Sequence, residues 1–310
     1  MNLKNTIFII IIIASLVKII FFPDDLSVEN KKSKPSVVLS TFSLYDSAKY
    51  IAQDTLDLSM VLPFGADAHS FELTPKIMSK IEDSSLFIFS GASLEPWIAR
   101  IPSKNSIDMS KHVKLITLEG EHSCGGDTHE SHSHNISPSD PHYWLDLKNM
   151  ISVSKVLADE FTKILPENKE LFQKNAQKYS DKLSKLDEKY KKQLSSCKKD
   201  TIVVNHNAFS YLSSNYSFNI ESLSGLSPQI MPSPKNIKKI HEAIKEHNIT
   251  TIFFESFVSD KIIKSIANDL GLKVNVLQPL GNITKDEIGK SYMDIMDTNM
   301  QKIAKALECK

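Results

Sequence analysis

ENKELFQKNAQKYSDKLSKLDEKYKKQLSS, residues 167–196, is a 30-residue stretch with neither glycine nor proline. Leu171, Phe172, Tyr179, Leu183, Leu186, Tyr190 and Leu194 recur at threes and fours, with lysines and acids between them. The spacing predicts one amphipathic helix, about 45 Å long at 1.5 Å per residue. An apolar stripe of about three heptads is short for a coiled coil, and a helix of that length needs more than one small domain to pack against.

On either side the chain alternates short apolar runs with helical ones. VVLS at 37–40, LDLSMVLPFG from Leu56, LFIFSG at 86–91 and VKLITL at 113–118 read as strands, with helices over 44–53 and 75–81. Pro75 suits the first turn of a helix, where its missing N–H is not needed. TIVV at 201–204, TIFFES at 251–256 and VNVL at 274–277 repeat the rhythm, with helical AFSYL, 260–270 and 286–307 between and after them. Strands separated by helices indicate right-handed β-α-β units and mainly parallel sheets. The expected fold is α/β, with two lobes, each a mainly parallel sheet flanked by helices, joined by one long rigid helix. The boundaries fall at 37–166 for the first lobe, 167–196 for the connecting helix and 197–310 for the second lobe.

Residues 1–22, MNLKNTIFIIIIIASLVKIIFF, carry an early lysine and an apolar run interrupted at Lys18. The run is shorter than the ~20 residues of a membrane-crossing helix, so it reads as a secretory signal or an uncleaved anchor, with 23–36 as a polar linker. The rest of the chain is then expected to work in the periplasm or another extracytoplasmic space. An oxidising compartment would allow Cys197 and Cys309 to bridge. Thirty-seven basic residues balance thirty-seven acids, and Arg100 is the only arginine. Neutrality with one guanidinium argues against nucleic-acid binding, which needs a basic face and bidentate arginine contacts.

That sum leaves out the ten histidines. His69 in PFGADAHSFELTP follows the second strand, His142 in DPHYWLD precedes a helix for which Asp146 is a candidate N-cap, and His206 in VVNHNAF ends the strand TIVV. Loops beyond the carboxyl ends of parallel strands form the ligand crevice. Three neutral imidazoles there suit zinc and leave a fourth position open or for an oxygen donor. A second histidine group, His122, His129, His132 and His134, lies with Cys124 in the glycine-containing polar loop 119–135, EGEHSCGGDTHESHSHN. It reads as an auxiliary metal-gathering loop without defined geometry.

GADAHSFELTP, DPHYWLD and NHNAFSYL together resemble the motifs of the metal-specific, zinc and manganese, solute-binding proteins of bacterial ABC transporters, and the similarity spans nearly all of 37–307. The first motif departs at Ala68 and Leu73, where that family usually has proline. The resemblance implies a metal held between two lobes by His69, His142 and His206, and a zinc-type member, since manganese members usually place glutamate at position 206. It further implies Zn2+ as a transported ligand rather than a catalytic cofactor, with Mn2+ the alternative, no enzymatic reaction, and a membrane permease as partner. The family often has an aspartate near the last strand, where this chain has Gln278. The fourth ligand is then expected to be water, Glu255 or another residue, with Gln278 as a second-shell or fourth-position candidate. Glu255 reads equally as an acid that orients a ligand histidine. A zinc hydrolase with Glu255 as base, and an adhesin with an incidental metal, are the readings from other classes; the chain lacks a local H-E-x-x-H helix.

Overall fold

The computed structural model describes residues 33–101, 105–117, 139–225, 233–255 and 260–310. The segment 1–22, most of the linker and the whole loop 119–135, with His122, Cys124, His129, His132 and His134, lie outside the described residues.

Two four-stranded parallel sheets organise the protein. The first contains β1 (Ser36–Leu39), β2 (Asp57–Met60), β3 (Leu86–Phe89) and β4 (Ser106–Asp108) in the order β2-β1-β3-β4. The second contains β5 (Thr201–His206), β6 (Asn219–Ser224), β7 (Thr251–Phe254) and β8 (Lys273–Val276) in the order β6-β5-β7-β8. Every pairing within the sheets is parallel. Central strands of such sheets are buried on both faces, which is why they read as continuous apolar runs. Alternate residues serve different layers: Val37, Leu39, Leu86, Ile88, Ile202 and Val204 enter one extended central core. Val38 and Phe87 instead face a small outer cluster with Trp97, and Val203 faces another with Ile240 and Leu272.

Helices α1 (Phe42–Ala52) and α2 (Pro75–Glu82) accompany the first sheet; α3 (Leu147–Ile164) and α4 (Lys169–Gln193) follow it. The second half adds α5 (Ser210–Tyr216), α6 (Pro234–Glu246), α7 (Asp260–Asp269) and α8 (Tyr292–Ala306). Expected strands at 37, 56, 86, 201, 251 and 274 are therefore present within a few residues, while β6 and α6 add elements that the apolar pattern did not reveal. Among the described residues no helix is long and apolar enough to cross a membrane.

Helix α4 lies within the 167–196 stretch expected to be one helix but is shorter, 25 residues from Lys169 to Gln193, with Pro166–Asn168 forming a 3₁₀ turn ahead of it. Its inward stripe, Phe172, Ala176, Tyr179, Leu183 and Tyr190, is buried. Polar contacts fix its register: Tyr179 Oη lies 2.9 Å from Ser47 Oγ, Asn175 Nδ2 donates to Ile51 O at 3.0 Å, and Ser180 Oγ lies 3.0 Å from Ser154 Oγ. Removing one partner of such a buried pair strands the other at about 1–3 kcal/mol, so these bonds select one alignment of α1, α3 and α4.

One expected strand is not formed. The described part of VKLITL, 113–117, does not extend the first sheet; Ser106–Asp108 takes that edge instead, pairing Phe87 with Ser106 and Ile88 with Ile107. The backbone around Lys114 is satisfied by a side chain, since Asn149 Oδ1 accepts from Lys114 N and Asn149 Nδ2 donates to Lys114 O, both at 2.9 Å. Ile116 N donates to Tyr211 Oη at 3.1 Å. Side-chain partners take these groups, while Asp140 N donates to Ile116 O at 2.9 Å and Thr117 forms an isolated antiparallel bridge with Ser139; Val113, Leu115 and Ile116 pack against the central core.

Cys197 and Cys309 form a disulfide across 112 residues. Lys310 N donates to Ser196 O at 3.0 Å beside it.

Candidate metal centre

His69, His142 and His206 come together although 137 residues separate the outer two, and their ligand nitrogens all lie within 4.8 Å of one another. His142 and His206 are buried and His69 partly so. The ring Nε2 atoms of His69 and His142 are 3.3 Å apart. They line a cavity of about 20 Å³ with Asp67, Leu94, Trp144, Glu255, Gly281 and Asn282 among its other walls. One water-sized occupant needs about 10–15 Å³, so the cavity matches a single ion.

Each histidine is positioned differently. His69 sits on the loop after β2, where Asp67 Oδ1 accepts its backbone N–H at 2.8 Å. His142 begins the 3₁₀ turn Tyr143–Leu145; Asp140 Oδ1 accepts its backbone N–H at 2.9 Å and meets its ring Nδ1 at 2.8 Å. Asp146 caps α3 just beyond, accepting from Lys148 N at 2.8 Å. His206 is the last residue of β5, and its Nδ1 pairs with the Glu255 carboxylate.

The carboxylates assign the tautomers. A proton on Nδ1 that points to Asp140 or Glu255 leaves Nε2 as a free lone pair, the form a metal requires. The buried His206 Nε2 has no hydrogen-bond partner among the described residues. Burial, followed by the charge of His142, pushes His69 down to about 4, so that ring is neutral at physiological pH. Three imidazole nitrogens that converge within 4.8 Å suit a cation.

Bonds between the two halves hold this arrangement. Asn282 Nδ2 donates to Pro63 O at 2.7 Å and to Ala66 O at 2.8 Å, and Gly65 N donates to Ile283 O at 2.9 Å. Tyr211 Oη donates to Asp140 O at 2.8 Å, and Trp144 Nε1 to Pro279 O at 2.6 Å.

Of the two fourth-position candidates, Glu255 lies at the cavity and Gln278 does not. Glu255 lines the cavity, but its carboxylate engages Nδ1 of His206, on the far side of that ring from Nε2. Gln278 is not brought to the trio: its amide donates to Glu287 Oε2 at 2.5 Å and its backbone N–H to Asn299 Oδ1 at 3.0 Å. A neighbouring acid has claimed the amide. Asp140 was not singled out from the sequence, although a signal was available. GADAH and DPH share the spacing Asp-x-His, and an aspartate two residues before an N–H is the natural acceptor for it. Of the remaining histidines, His247 Nδ1 contacts Asp200 and Thr201, both at 3.1 Å, while His112 and His241 are exposed.

The chain is similar to proteins whose names carry zinc. Residues 37–306 match the family model described as zinc-uptake complex component A, periplasmic (ZnuA). The chain is 30% identical over 290 residues to the high-affinity zinc uptake system protein ZnuA of Bacillus subtilis, covering 91% of this chain and 90% of that one. It is 30% identical over 277 residues to the zinc-binding lipoprotein AdcA of Streptococcus pneumoniae, covering 86% of this chain but 55% of AdcA, so it spans about half the length of that relative. In structure it resembles a Zn(II)-bound variant of AdcAII from Streptococcus pneumoniae, with a TM-score of 0.78 at 26% identity over 89% of this chain and 99% of that one. With its two parallel sheets and its three-histidine cluster between them, the chain belongs to the ZnuA family of zinc-uptake components.

Proposed function

We propose that the protein is an extracytoplasmic zinc receptor that captures Zn2+ through His69, His142 and His206 and delivers it to the membrane permease of an ABC transporter. The carrying observation is three converging imidazole nitrogens within 4.8 Å, two of the rings backed by carboxylates on Nδ1. Imidazole donors favour zinc, whereas manganese prefers carboxylate-rich shells of higher coordination number. Asp140 and Glu255 supply two negative charges one ring away from the ion, which offsets its charge without entering the coordination sphere. Water is the proposed fourth ligand. No reaction is catalysed: Glu255, the base that a zinc hydrolase would need, is engaged by His206. The names of the ZnuA and AdcA relatives support zinc uptake, and the N-terminal apolar segment supports export or anchoring.

The test is titration calorimetry of the metal-free protein with Zn2+ and Mn2+, together with growth of a deletion strain under zinc starvation. The expected result is one zinc site tighter than micromolar, weaker manganese binding, and a growth defect that added zinc relieves. Absence of zinc binding, or His142→Ala with unchanged affinity, would overturn the reading.

A further inference from the structure

The loop leaving β3, Ser90-Gly91-Ala92-Ser93-Leu94-Glu95, has a backbone that the sequence does not favour. Gly91, Ala92 and Ser93 have φ of +78°, +51° and +63°, three successive left-handed residues, of which two are not glycine. L residues avoid this region because Cβ approaches the following carbonyl. At position 91 glycine is required, since a Cβ there would overlap the Asp108 carboxylate.

Glu95 holds the turn. Its side chain is buried, with Oε1 accepting from Ser90 N and Oε2 from Gly91 N, both at 2.9 Å. Ser90 is fixed further by Ser40 Oγ at 3.1 Å and Thr41 Oγ1 at 2.9 Å, and Leu94 N donates to Gly91 O at 3.0 Å. No cation pairs with Glu95 among the described residues; the charges facing it are those of Asp108 and of Tyr143 if ionised. Burial is the main cause that pushes the carboxyl up to about 7. A buried carboxylate without a cation is a costly way to end a strand, even with the Ser40 hydroxyl and the Ser90 and Gly91 N–H groups as its hydrogen-bond partners. The location of Leu94 gives it a purpose. Leu94 lies between the left-handed turn and Glu95, is 1% exposed, and is the one large aliphatic side chain on the wall of the histidine cavity among the described residues.

We propose that Glu95 is a positioning residue: by clasping Ser90 N and Gly91 N it keeps the left-handed turn closed, holds Leu94 against the histidine cluster and so sets the rate at which zinc leaves. The proposal rests on the zinc reading above. Both N–H groups converge on one carboxylate only while the turn stays left-handed. Relaxation of Gly91–Ser93 would withdraw Leu94 from the cavity wall without moving a ligand.

The experiment is stopped-flow release of zinc from the loaded protein into excess chelator, with the visible spectrum of the cobalt(II)-substituted protein as a readout of the ligand set. Glu95→Gln keeps the shape but replaces one acceptor oxygen by a donor, and is expected to speed release about tenfold or more. Leu94→Ala should do the same, and the cobalt spectrum should stay that of the parent in both. Adding Ala92→Gly and Ser93→Gly to Glu95→Gln should slow release again, because glycine removes the penalty that Ala92 and Ser93 carry at positive φ and so lessens the need for a clasp. A parental release rate in Glu95→Gln, an altered cobalt spectrum, or no rescue by the two glycines would each overturn the proposal. If Glu95→Gln does not fold, Leu94→Ala and the glycine pair in the parental background decide: faster release in the first alone supports it, and any other pattern overturns it. Failure of the parent to bind zinc would overturn the zinc reading as well, whereas normal parental binding with unchanged variants overturns only the clasp.

Discussion

The two sheets share a strand order but present their histidines in different ways. In the second, His206 is itself the last residue of β5 and Glu255 directly follows β7, so the ladder that builds the sheet also aims the ligand and its carboxylate. In the first, His69 lies nine residues beyond the end of β2 and His142 lies on a 3₁₀ turn far along the chain from β4. These loop-borne histidines are tied down by the opposite half, through Asn282 to Pro63 and Ala66 and through Tyr211 to Asp140. One topology thus yields a precise cluster by two routes, strand geometry on one side and borrowed hydrogen bonds on the other.

The largest expected difference between the halves is covalent. Only the second half is closed by a disulfide, across 112 residues. In the chain-entropy model a loop of that size is worth about 4–5 kcal/mol, an upper figure for the stability lost on reduction or in Cys309→Ser. Denaturant unfolding with and without reductant should show the drop, and coincident curves would mean that the staple constrains nothing.

Next come the carboxylates. Asp140→Asn and Glu255→Gln should each weaken zinc binding about 10–100-fold, because the ring loses the partner that fixes its tautomer. Competition titration measures both. Equal affinity in either variant would leave that acid without a part in the site.

A smaller effect separates the two routes. Asn282→Ala strands the carbonyls of Pro63 and Ala66, at about 1–3 kcal/mol, and loosens the loop that carries His69. Zinc affinity should fall with little change in the second sheet; hydrogen exchange that rose equally at β5 and β7 would break the distinction.

A further difference concerns pH. The folded value for His69, about 4, lies below its ordinary 6.5. The unfolded chain therefore binds the extra proton first, and the metal-free protein should lose stability as pH falls from about 6.5 toward 4. His69→Gln should show a shallower decline over that window. Parallel curves would show that His69 is not the group responsible.

Much of this was legible from local pattern. The β-α-β rhythm follows from buried strands reading as continuous apolar runs, and the three histidines stand out because they occur at strand ends or before a capped helix. What escaped depends on partners distant in the chain. VKLITL has the composition of a strand, but Asn149 and Tyr211 take its backbone groups. NIESLS, at the sheet edge, is too polar to announce β6. Gln278 has an amide that could face a cation, but Glu287, nine residues on, holds it. Glu255 could be read as ligand or as orienter, and only the side of His206 that it faces separates the two.

Trp144 has a practical consequence. The protein has two tryptophans, and one of them lines the histidine cavity, its ring centroid 5.5 Å from that of His142 in an edge-on arrangement. The other, Trp97, belongs to the outer cluster behind the first sheet. The chain therefore carries its own optical gauge beside the ion and an internal reference away from it, so occupancy can be followed by intrinsic fluorescence, with Trp97→Phe removing the constant background.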